Sequence, residues 1–105
     1  MKSASPTATL EGGSLRVTGD VDAVTVMPLR KQGEKLINEA KASLTVDLSG
    51  LAAANSVVLS MLMCWQRLAL SQQQALSFEG ASDRLRSLAA LSNLEHQLPG
   101  FARHS

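Results

Sequence analysis

The chain has 105 residues, of which 45% are hydrophobic and 18% charged, and its formal net charge is +1. That length holds one domain around one core, and the balance is that of a soluble globular protein rather than a disordered chain. With near-neutral charge, two Phe, one Trp and no Tyr, it offers neither the field nor the stacking platforms of a nucleic-acid binder.

Met1 to Thr9 is rich in Ser, Ala, Pro and Thr and lacks the apolar run of a signal peptide. Residues 1–8 read as a flexible leader, 9–100 as a single domain and 101–105 as a tail. Leu15 and Val17 alternate with polar neighbours beside Gly12-Gly13, which predicts a β-hairpin ending at Gly19-Asp20. From about Ala23 to Ala40 the pattern turns helical, with Val26, Leu29, Leu36, Ile37 and Ala40 on one stripe. Asp22 is its expected N-cap, Pro28 falls near the first turn, and Gly33 weakens the middle by about 1 kcal/mol relative to Ala.

Ser43 to Leu48 is the clearest strand, with Leu44, Val46 and Leu48 alternating; residues 49–55 read as a loop. Ser56 opens a second helix to about Ser71. Ala75 to Glu79 is a further strand, and Ser82-Asp83 caps a third helix through Leu91. Residues 93–105 carry one weak helical turn and then Pro99-Gly100. The order β-β-α-β-α-β-α predicts an α/β fold, a small mixed sheet of about four strands packed against helices, with right-handed crossovers joining parallel neighbours.

Catalytic chemistry has little to draw on. Cys64 stands alone, which excludes an intramolecular disulfide and a cysteine-rich zinc site, and it is far in sequence from His96 and His104. Gly12-Gly13 is a hairpin turn with no Lys-Ser or Lys-Thr pair after it, so no phosphate-cradling loop is present. Asp20 and Asp22 read as turn and cap residues. No enzyme activity, cofactor or metal is expected. The apolar-rich stretch from Val57 to Leu70 is too short, and too interrupted by Ser60, Gln66 and Arg67, to insert in a membrane. The cytoplasm is the expected compartment.

The second helix is the unusual element. Ser56, Ser60, Arg67 and Ser71 form a narrow polar strip between two apolar arcs. One arc, Val58, Leu59, Leu62, Met63, Ala69 and Leu70, is enough to cover a sheet; the other holds Val57, Met61, Cys64, Trp65 and Leu68. Either both arcs pack within the domain, or one is a partner surface, for which Met and Trp are suited. Ser56 reads as the N-cap. A phosphate on it would meet the positive end of the helix dipole while placing about two negative charges on an apolar surface.

The segment Val46-Asp47-Leu48-Ser49-Gly50-Leu51 through Asn55-Ser56-Val57-Val58-Leu59, within this order of elements, resembles a STAS domain, the family that includes the anti-sigma-factor antagonists. Ser56 sits where that family carries its phosphorylatable Ser or Thr. Asn55 stands in place of the usual Asp, and Val57-Val58 in place of small residues. Within the family, the short hairpin, Gly19-Asp20-Val21-Asp22 and the Leu-rich second helix are similar to the MlaB-type STAS subunit of the Mla ABC transporter. That resemblance implies an accessory subunit that binds the ATPase of a phospholipid transporter, in complex with its permease, peripheral to the inner membrane and involved in outer-membrane lipid asymmetry. The expected contact set is Ser56, Val57, Ser60, Met61, Cys64 and Trp65, with Ser56 also the candidate phosphorylation site. The alternative is a phosphorylation-switched antagonist of an anti-sigma factor.

Overall fold

Alternating burial builds the sheet and a 3.6-residue stripe builds the helices. A computed structural model describes residues 5–52 and 54–101, in the order β1 (Thr7–Glu11), β2 (Ser14–Gly19), α1 (Val26–Ala40), β3 (Leu44–Leu51), α2 (Ser56–Ser71), β4 (Leu76–Glu79) and α3 (Asp83–Leu91). This is the expected α/β order. The strands lie side by side as β1-β2-β3-β4; β1 pairs antiparallel with β2, and β2, β3 and β4 run parallel. Gly12, at φ +60°, makes the hairpin turn in the left-handed conformation that favours glycine.

Two successive right-handed crossovers moving the same way across a sheet place α1 and α2 on one face. Burial agrees: Leu15, Val17, Leu44, Val46, Leu48, Leu76 and Phe78 are buried in one cluster. Their neighbours along the strands, among them Arg16, Thr45, Asp47 and Ser77, form a polar open face. Cross-strand pairs tie that face together, Thr7 Oγ1 to Thr18 Oγ1 at 3.0 Å, Thr45 Oγ1 to Ser77 Oγ at 3.4 Å, and Arg16 to Asp47 at 4.0 Å.

Three local expectations change. β3 continues through Ser49 and Gly50 to Leu51, where a loop was expected. Arg16 pairs with Asp47 but Thr18 with Gly50, so β3 carries one extra residue, a bulge that local turn signals disguise. α1 begins at Val26, and Asp22 caps the turn before it: its Oδ1 accepts from the N–H groups of Val24 (2.8 Å) and Thr25 (2.9 Å). Gly33 is buried and not a weak point, because the Trp65 ring lies where its side chain would be.

Helices α1 and α2 run parallel and in step. Arg30 reaches Cys64 and Asn38 bonds to Gln72, both across the same separation of 34 positions. The Trp65 indole N–H donates to the Arg30 carbonyl at 3.0 Å. Below them, Gln74 donates to the carbonyls of Ile37 (3.0 Å) and Ala42 (2.9 Å), fastening the end of α1 to the lead-in of β4.

The segment after α3 belongs to the core. Leu98 and Phe101 are buried, and the Phe101 ring meets Phe78 edge to face at 5.8 Å. The Phe78 N–H donates to the Pro99 carbonyl at 2.7 Å, which covers the outer edge of β4. Phe101, expected in the tail, thus packs in the core, as Ala8, expected in the leader, does in β1. The remaining leader and tail expectations, residues 1–4 and 102–105, lie outside the described residues, and His104 with them.

Candidate functional site

The start of α2 is built by Asn55, not Ser56. Asn55 is the N-cap in extended conformation (φ −149°, ψ 172°), and its Oδ1 accepts from the Val58 N–H at 3.0 Å. Its Nδ2 donates to the Val21 carbonyl at 3.1 Å, which brings the lead-in to α1 beside the start of α2. A carboxylate could cap but could not make that second bond, so the amide of Asn55 is what joins the two segments. Ser56 is the first residue of the helix, exposed and released from the capping role. Asn55→Ala is expected to cost about 1–2 kcal/mol in urea denaturation, and Ser56→Ala close to nothing.

The expected contact set divides by burial. Ser56 and Ser60 are exposed, and Val57 and Cys64 are half-buried. Met61 and Trp65 are 1% and 0% exposed, so as folded they cannot touch a partner. The reason is the parallel packing of α1 on α2, together with the room that Gly33 leaves for the indole. Of the arc assigned to the sheet, Val58, Leu59, Leu62 and Ala69 are buried, whereas Leu70 is 63% exposed. Both arcs therefore pack largely within the domain.

Three exposed apolar residues escaped the sequence reading, Leu91 at the end of α3 (83% exposed) and two near the start of α1. Val24, in the turn before α1, is 83% exposed, and Met27, in its first turn, is 46% exposed. Both lie off the Val26–Leu29–Ile37 stripe, and that offset was the available signal. The register between the helices sets Arg30 beside Cys64 and Met27 level with Met61 along one seam. Arg30 also pairs with Glu34 at 3.1 Å.

The acidic residues act as local ties. The Asp47 carboxylate sits below its ordinary range because it accepts from the Ser49 hydroxyl (2.7 Å) and N–H (3.0 Å), with Arg16 adding to the effect; these bonds hold the β3 bulge. Asp22 is lowered likewise by the backbone N–H groups of Thr25 and Val24. A carboxyl lowered by folding adds stability above its ordinary pKa, and that contribution disappears as pH falls through the depressed value. Asp47→Asn is accordingly expected to be slightly less stable than the parent at pH 7. The difference should close as pH falls below about 4, read from thermal midpoints.

Cys64 lies against Arg30 and His96 against Glu95, so the two form no nucleophile–base pair. Among the described residues no group of three or more His, Cys, Asp or Glu could hold a metal ion, and no helix is long and apolar enough to cross a membrane. A four-stranded mixed sheet with three helices, in the order β-β-α-β-α-β-α, is the architecture of a STAS domain. Residues 5–100 match the family model described as "Mlab, STAS domain", and the chain belongs to that family. Among solved structures, it is similar to an anti-sigma factor antagonist from Mycobacterium paratuberculosis, with a TM-score of 0.72 and 22% identity over 90% of this chain and 81% of that one. That likeness establishes the fold. No curated protein matches the sequence. STAS domains are generally binding and regulatory modules.

Proposed function

We propose that this protein is a non-enzymatic accessory subunit that docks on the ATPase of an Mla-like ABC transporter for phospholipids, on the cytoplasmic side of the inner membrane. The observation that supports this reading is the apolar surface at the two helix starts. Met27 stands exposed in the first turn of α1, on the side that meets α2 through Arg30 and Cys64, and the start of α2 presents exposed Ser56 and Ser60 with half-buried Val57 and Cys64. The family model named for Mlab supports the choice of partner. An accessory protein of this kind tunes the ATPase by binding one of its conformations more tightly than the other.

The test is a tagged pull-down from the native cells in mild detergent. The expected result is recovery of an ABC ATPase with its membrane permease from the parent chain, and loss of both with Ser60→Arg. Recovery of neither overturns the reading. A second reading, a phosphorylation-switched antagonist of an anti-sigma factor, draws on Ser56, whose exposed hydroxyl is not used as a cap. Co-purification of a soluble histidine-kinase-like protein, lost with Ser56→Asp, would favour it.

A further inference from the structure

The outer edge of β4 is closed by a part of the chain that holds on at few points. β4 itself has none of the features that keep an edge strand from pairing with another chain. Leu76-Ser77-Phe78-Glu79 contains no Pro and no Lys, and it pairs with β3 without a bulge. The opposite edge of the sheet is met by α1, where the Gln32 Oε1 accepts from the Ala8 N–H at 3.4 Å. At β4 the cover is residues 94–101. Among the described residues one backbone hydrogen bond joins them to the strand, from the Phe78 N–H to the Pro99 carbonyl at 2.7 Å. Pro99 has no N–H of its own, so the cover ends the ladder at that residue and offers no new donor there.

Two side chains and one glycine hold the cover in place. Leu98 and Phe101 are buried, the Phe101 ring against Phe78. Gly100 lies so close to β4 that a Cβ on it would collide with the Phe78 carbonyl oxygen, and its φ of +103° is one that other residues rarely adopt. Between these anchors His96, Gln97, Pro99 and Gly100 are exposed. A segment held by so few buried contacts opens at a lower free energy than the whole domain. Opening bares the Phe78 N–H and carbonyl on an edge that every copy of the chain carries. Two such edges related by a two-fold axis meet antiparallel, with outward N–H groups facing outward carbonyls.

We propose that residues 94–101 are a releasable strap whose role is to keep the β4 edge from pairing with β4 of a second copy of the chain. The test uses the full chain alone and does not depend on docking at the start of α2. In native-state hydrogen exchange of the parent, the Phe78 and Phe101 amides are expected to share one protection factor. It should lie at least about tenfold below that of the Val46 amide in β3. Gly100→Ala should lower the Phe78 protection by about another tenfold while Val46 stays protected, and should shift the chain from monomer to dimer in light scattering. Ser77, exposed on β4, gives the control: Ser77→Lys sets like charges near the two-fold axis of a β4 pair and should restore the monomer in the Gly100→Ala chain. A Phe78 amide that exchanges in the parent as slowly as Val46, and only with global unfolding, overturns the strap. So does a Gly100→Ala chain that keeps Phe78 fully protected. An opened strap on a chain that stays monomeric overturns the guarding role. A dimer that Ser77→Lys leaves intact overturns it too, because the contact would then lie outside β4.

Discussion

Gly33→Ala is expected to destabilise the domain by about 2 kcal/mol or more in urea denaturation, although Ala is the better helix former by about 1 kcal/mol. A Cβ at residue 33 would fall inside contact distance of the Trp65 ring, 2.8 Å from Nε1 and closer still to the ring carbons. The ring has no easy retreat. It is fully buried and its N–H is bonded to the Arg30 carbonyl, so moving it breaks that bond and disturbs the packing of α1 on α2. The cost should shrink sharply when Trp65 is replaced by Leu, and a double-mutant cycle followed by circular dichroism measures that coupling. A Gly33→Ala protein more stable than the parent would mean that propensity outweighs packing at this position and would overturn the argument.

Met61→Asp and Trp65→Asp should each abolish folding, where a surface role would have abolished only the complex. Truncating a buried Trp costs about 3–5 kcal/mol before any charge is buried. A small domain holds about 5–15 kcal/mol in all, so the charged variants have little or nothing left. Ser60→Arg, on the exposed line of the same helix, should change stability by no more than about 0.5 kcal/mol while losing the partner. Circular dichroism and the pull-down, run on all three, separate the two effects. A well-folded Trp65→Asp protein that fails to bind would return the indole to the contact surface.

The elements were legible because each one repeats locally. Leu44, Val46 and Leu48 announce a half-buried strand, and Leu29 and Ile37 a buried helical face, whatever else surrounds them. The Asp47-Leu48-Ser49 and Asn55-Ser56 segments carried the family resemblance, and the match over residues 5–100 bears it out. Local reading failed where two elements meet. Ser and Asn are both good N-caps, and the choice of Asn55 over Ser56 follows from the Val21 carbonyl, which only an amide at that position can satisfy as well. The β3 bulge depends on the register against β2, and Ser49-Gly50 alone resembles a turn.

Periodicity and family motifs thus carried the strand and helix order, the small mixed sheet packed against helices and the STAS class, since backbone geometry imposes those repeats residue by residue. The fate of the two apolar arcs of α2 was a matter of tertiary packing. Their spacing says that both are apolar, but Met61 and Trp65 are buried because α1 lies against them and lacks a side chain at Gly33. With that arc covered, the large hydrophobic side chains left exposed among the described residues are Val24, Met27, Leu70 and Leu91. Burial is a property of pairs of elements, and a helical wheel describes one element at a time.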